Sequence, residues 1–278
     1  MKPELSKVRQ PIGSRVIVPV VVTALVGAIF SEAIAARRPP ATKPPAQTSF
    51  YDELDYFDTN RWSKADGWTN GSPFDNIWRA ANVVHSGGVM SIALNDKGGK
   101  GEPYASGEYR TNGFYGYGCY EARFKPVKQS GVVTSFFTFA GPYDNGGNRK
   151  HNEIDVEFVG KDTTAVQFNF WTNDDQYVTN NAVWVELGFD ASLEAHDYGF
   201  KWTEAGITWY VDGMWAHEVS SKDKPTPKAT ESLQKIMMNA WPVDQTAAGW
   251  AGPFVYPGAP LHAEYEWVRY DSDPNCSV

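Results

Sequence analysis

From Phe50 onward the chain shows almost no helical periodicity. Apolar and polar residues instead alternate in short runs bounded by Gly, Pro, Asn and Asp, the pattern of half-buried strands. The runs span 117–125, 132–139, 153–159, 166–171, 183–189, 198–203, 208–211, 215–219, 235–241 and 263–269. Asp212-Gly213 separates two of them and predicts a tight hairpin, because both residues tolerate the positive φ that such turns need. Residues 190–196 are read as a single helical turn. No internal repeat and no second composition regime interrupts residues 50–272, which are therefore expected to form one domain, with 273–278 as a short tail. Many short strands joined by polar turns predict an all-β chain, folded as a two-sheet sandwich or jelly roll.

The N-terminus follows another plan. Lys2, Lys7, Arg9 and Arg15 precede an apolar run from Val16 to Phe30, and Ala33-Ile34-Ala35 supplies a small-x-small site. This is the layout of a secretory signal peptide over residues 1–35, and an uncleaved anchor would share it. The run is short against the roughly 20 residues of a membrane span. Pro39, Pro40, Pro44 and Pro45 make 36–49 read as an extended linker. The expected location is secreted or periplasmic.

Composition narrows the function classes. A formal net charge of −8 argues against nucleic acid, whose phosphates need a basic face. No membrane partner is expected for the mature domain, which should act as a monomer. Two Cys without a CxxC spacing exclude a disulfide framework and a zinc site, and no GxSxG or HExxH is present. Aromatic residues make up 14%, enough to demand a deep core, a surface that binds something flat, or both.

The most informative stretch runs from His151 to Val159. Glu153, Asp155 and Glu157 alternate with Ile154, Val156 and Phe158, so the three acids share one face of a strand and the apolar residues share the other. Three carboxylates on one face repel each other, and keeping one protonated relieves that repulsion. Glycoside hydrolysis uses such a set: one carboxyl as acid, another as nucleophile or base, about 5–5.5 Å apart in retaining enzymes. Positions i and i+4 lie about 13 Å apart along a strand, a gap that two long Glu side chains leaning inward can narrow. A solvated acidic sheet face would show the same spacing.

Glu153-Ile154-Asp155-Val156-Glu157-Phe158-Val159-Gly160 resembles the signature of glycoside hydrolase family 16, and Lys161–Asn169 resembles its bacterial licheninases, the endo-β-1,3-1,4-glucanases. So do Lys64–Gly71, Tyr115–Gly118, Ser135–Thr138, Trp209–Gly213, Lys235–Asn239 and Trp267–Tyr270, in family order across the body of the chain. The resemblance implies a β-jelly roll of two curved antiparallel sheets with a substrate cleft on the concave face. It implies Glu153 as nucleophile, Glu157 as general acid/base and Asp155 as assisting carboxylate, with retention of configuration and no cofactor for catalysis. It places Asn70, Glu108, Arg110, Phe137, Asn169, Trp171, Asn239 and Trp241 at sugar subsites, while Trp62, Trp78, Trp202 and Trp209 are read as structural.

The chain also departs from the licheninase pattern. His151-Asn152 stands where those enzymes carry Trp-Asp; His151 either contacts the cleft or is a satisfied surface side chain. Trp241-Pro242 is a second departure, and Ser72–Phe74 and the Gly98–Gly101 loop are read as flanking the cleft. The positions of a disulfide common in licheninases are here Asn76 and Ser106. Cys119 and Cys276 either bridge or stand as separate thiols. Glu266 aligns with an acidic position that helps hold structural calcium in licheninases, and an exposed strand Glu is the alternative. The expected partner is a polysaccharide, most simply mixed-linkage β-glucan. The alternatives are depolymerisation of a bacterial exopolysaccharide such as succinoglycan, transglycosylation, and non-catalytic glycan binding, against which the intact acidic set argues.

Overall fold

The computed structural model describes residues 8–9, 43–174 and 181–278. The signal-peptide segment and the first part of the linker therefore lie outside the described residues, apart from Val8–Arg9. Strands are numbered in chain order. One sheet runs β1 (Val8–Arg9), β13 (Val183–Glu186), β12 (Ala165–Trp171), β11 (Asn152–Val159), β10 (Val132–Ala140), β17 (Lys235–Pro242), β8 (Glu108–Thr111) and β3 (Trp62–Lys64). The other runs β16 (Met214–Ser220), β15 (Gly206–Val211), β14 (His196–Thr203), β9 (Gly118–Lys125), β18 (Leu261–Asp271), β6 (Val89–Leu94) and β5 (Val83–Ser86), with β2 (Phe50–Asp52) added to β18. Every pairing within these two sheets is antiparallel. A small parallel pair, β4 (Asn76–Trp78) with β7 (Tyr104–Ser106), lies beside them, and the one α-helix among the described residues, α1, is the short Ala248–Ala251. The arrangement is the jelly-roll sandwich that the alternation predicts.

Alternation builds the core directly. On β11, Ile154, Val156 and Phe158 point inward and are fully buried. They meet Phe124 of β9, whose ring lies 5.8 Å from Phe158, edge to face. Phe136 faces Phe200 at 6.0 Å, and Phe168 stacks on Trp209 at 5.6 Å, so rings from the two sheets interdigitate along the sandwich. Trp62, Trp78, Trp202 and Trp209 are all fully buried. The Trp209 indole N–H, which needs a partner at that depth, crosses the sandwich and donates to the main-chain oxygen of Asp155 at 3.0 Å.

Three regions differ from the sequence reading. Residues 190–196 form no helix. They make a turn around Asp190, whose carboxylate accepts from the Ser192 amide at 3.0 Å and from the Ser192 hydroxyl at 2.6 Å, and pairs with Lys128. An Asp bonding the amide two residues on offers the backbone an alternative to the helix. The end of the linker is not a free extended segment. The Gln47 amide donates to the Phe114 oxygen at 2.9 Å, and Lys43 Nζ donates to the Ala229 oxygen at 2.8 Å. The expected strand over 183–189 stops at Glu186.

The Asp212-Gly213 turn forms between β15 and β16, with φ of 48° and 70°. Cys119, on β9, is bridged to Cys276, with α-carbons 6.0 Å apart. Lys201 Nζ donates to the Cys276 oxygen at 3.0 Å, so the tail lies against the back sheet.

Candidate active site

Cross-strand register converts sequence alternation into rows of side chains across the first sheet. The first row reads Trp171, Glu153, Phe139, Lys235. The second reads Asn169, Asp155, Phe137, Met237, Arg110, Ser63. The third reads Gln167, Glu157, Ser135, Asn239, Glu108. Residues directly opposite in an antiparallel pair point to the same face, so all three rows stand on the side away from the core. Apart from Gln167, Asn169 and Trp171, they floor a cleft of about 1010 Å³, whose lining also includes Trp68, Asn70, Phe74, Pro142, Tyr143 and Asp144.

Electrostatics separates the carboxyls. Asp155 is buried between the two glutamates and hydrogen-bonds Glu153. Loss of water and the neighbouring charges push its pKa well above the carboxylate range, so it stays protonated and is the donor to Glu153. Glu157 is also raised, to about 8, by desolvation first and by the charge of Glu153 second. At neutral pH Glu157 therefore holds a proton it can give away. Glu153 is bonded by Asp155 on one side and by the His151 imidazole on the other.

A second charged cluster fills the far side of the floor. Arg110 pairs with Asp144 and lies 3.4 Å from Glu108, and Asn239 Nδ2 donates to Glu108 at 3.3 Å. Burial raises the Glu108 pKa and Arg110 opposes that shift. Burial likewise lowers the pKa of Lys235, which donates to the Thr111 oxygen at 2.9 Å.

Residues 70–269 match the family model for glycosyl hydrolases family 16. The chain belongs to this family. A β-glucanase of Brevibacillus brevis is 43% identical over 237 residues, covering 84% of this chain and 86% of its own. The structure of the Bacillus licheniformis β-glucanase superposes with a TM-score of 0.73 at 41% identity, over 82% of this chain and all of that one. A prokaryotic β-1,3-1,4-glucanase (lichenase) from a mouse hindgut metagenome gives the same TM-score and identity, over 81% and 99%. This family 16 chain is a glycoside hydrolase.

Asn70, Glu108, Arg110, Phe137, His151, Asn239 and Trp241 all line the cleft of the hydrolase together with the three acids. Asn169 and Trp171 belong to the same rows but do not line the cavity. Trp171 is covered by the His151 ring, stacked 4.2 Å away. Phe137 and Trp241 reach the cavity but are only 7% and 5% exposed, and Phe74 lies 4.0 Å from the Trp241 ring. The rings open to a ligand are instead Trp68, 40% exposed, and Tyr143, 99% exposed. Tyr143 sits in a Gly-rich segment that reads as an ordinary turn. Lys235, Met237 and Ser135 were also missed, although their strands were expected; only the register places them in the rows of Glu153, Asp155 and Glu157 respectively.

Phe74 lines the cleft as expected of the 72–74 segment, whereas Gly98–Gly101 does not. The rim carrying Tyr143 is anchored at Gly146. Its oxygen accepts from the Leu233 amide at 2.9 Å, and a Cβ at Gly146 would meet the Leu233 oxygen at 1.6 Å. Glu266 stands on the back sheet with its carboxylate 2.8 Å from Arg123 Nε. No group of three His, Cys, Asp or Glu able to hold an ion occurs among the described residues.

Proposed function

We propose that this chain is an exported, endo-acting, retaining β-glucanase that hydrolyses internal bonds of mixed-linkage β-1,3-1,4-glucan. Glu153 attacks the anomeric carbon while Glu157 gives its proton to the departing glycosidic oxygen, leaving a glycosyl ester on Glu153. Glu157, now ionised, takes a proton from water, which displaces the ester and restores the original configuration. Asp155 stays protonated and orients Glu153. The carrying observation is the split among three carboxyls on one strand: Glu157 raised to about 8 and Asp155 well above its usual range, both around Glu153. The lichenase relatives support the mixed-linkage substrate.

A panel of lichenan, laminarin, xyloglucan, carboxymethylcellulose and succinoglycan, with linkage analysis of the products, tests the reading. Cleavage of lichenan with retention is expected. Activity on laminarin or succinoglycan but not lichenan would overturn the substrate, and an inverted first product would overturn the mechanism.

A further inference from the structure

His151 stands where the resemblance leads one to expect a tryptophan, and its position is tightly defined. Its ring is stacked 4.2 Å from Trp171 with 19° between planes, and lies 5.2 Å from Phe139. These are the two residues directly opposite Glu153 on the flanking strands. Its main chain is fixed as well: its amide donates to Asp174 Oδ1 at 2.8 Å, and its oxygen accepts from the Asp174 amide at 3.1 Å. So held, the imidazole Nε2 meets Oε2 of Glu153.

An ionised carboxylate only accepts, so the bond needs the proton on Nε2. Glu153 is then held from two sides, by the Asp155 proton and by His151. Resting on the assignment of Glu153 above, we infer that His151 is a positioning residue for the nucleophile, holding its carboxylate in one rotamer. Loss of that donor should slow attack by Glu153 while leaving substrate binding in place. Around the ring, β11 contributes Glu153, β10 the uncharged Phe139, β12 the uncharged Trp171, and the turn after β12 contributes Asp174.

The experiment compares kcat and KM on lichenan for wild type, His151→Phe and His151→Gln, with Glu153→Ala assayed in azide alongside. His151→Phe keeps an aromatic ring between Phe139 and Trp171 but removes the donor. Its kcat should fall about tenfold with KM little changed, because the nucleophile loses one of the two bonds that fix it. His151→Gln restores a donor at similar reach and should return kcat toward wild type. Should His151→Phe not fold, His151→Asn, too short to reach Glu153, takes its place. A donor-free variant whose kcat equals that of wild type, or whose loss lies in KM alone, overturns the inference. If azide rescues Glu153→Ala as a glycosyl azide, such a result sinks the His151 role alone. If azide does not rescue it, the nucleophile assignment and the inference fall together.

Discussion

Both sheets carry acidic residues on their outer faces, but β11 treats its own unlike the back sheet. On the back sheet four carboxylates meet cations across the strands: Arg123 with Asp197 at 2.9 Å and with Glu266 at 2.8 Å, Lys125 with Glu264 at 2.6 Å, and Arg269 with Glu121. On β11, among the described residues, Asp155 and Glu157 make no ion pair with any Lys or Arg, and Glu153 meets only a histidine. A face tuned for stability alone would pair its charges or dilute them. The β11 face keeps like charges together and out of water, and so retains two protons at a pH where ordinary carboxyls have lost theirs.

Substitutions should reproduce this contrast in order of size. Glu153→Gln should lower hydrolysis by about 10⁴-fold or more while leaving glucan binding measurable by affinity electrophoresis. Glu157→Gln should cost about 10² to 10⁴-fold and abolish the basic limb, which in wild type falls as pH rises through about 8. The loss should be much smaller on a substrate whose leaving group needs no proton. Asp155→Asn keeps a neutral donor and should cost only about tenfold.

Asp155→Asn also reports on stability. A carboxyl raised in the folded state contributes stability below its unfolded pKa that is lost as pH rises through its folded pKa. Melting temperature should therefore fall with rising pH in wild type, and less steeply in Asp155→Asn, as calorimetry across that range would show. Trp209→Phe, which removes the donor to the Asp155 oxygen from across the core, should cost about 1–3 kcal/mol in denaturant unfolding. Arg123→Ala should be the mildest, within about 1 kcal/mol and with unchanged kcat/KM, because its pairs are partly exposed.

Legibility in the sequence followed the range of the interactions involved. The strict alternation of 153–159 is local, and it revealed both the strand and the shared face of its acids. The hairpin at Asp212-Gly213 was equally plain. Strands β2, β3, β4 and β7 are three residues each and too short to show a period, whereas the six-residue β6 alternates in burial but carries Ser91 as its one polar residue, which hides the alternation in the sequence. The rows depend on which strands become neighbours, and β17 joins β10 from about a hundred residues away. Lys235, Met237 and Ser135 could not be seen as site residues without that pairing. Ring exposure was opaque for a similar reason. Whether Trp241 offers its face to a sugar depends on Phe74, far away in sequence, and on how the chain returns to bring Trp250 against it. The 14% of aromatic residues therefore goes mainly into the core, with Trp68 and Tyr143 as the open rings of the cleft.

The rows across the cleft have a bearing on how such a hydrolase diversifies. Each strand donates one side chain per row, and the residue on either side of it in sequence belongs to the core. A change at Met237 or Ser135 therefore alters one coordinate of the floor and leaves Ile236, Met238, Thr134 and Phe136 in place beneath it. The cleft is in effect a grid whose cells can be rewritten singly, so new substrate preferences are open to point mutation while the scaffold that holds the acids is inherited intact.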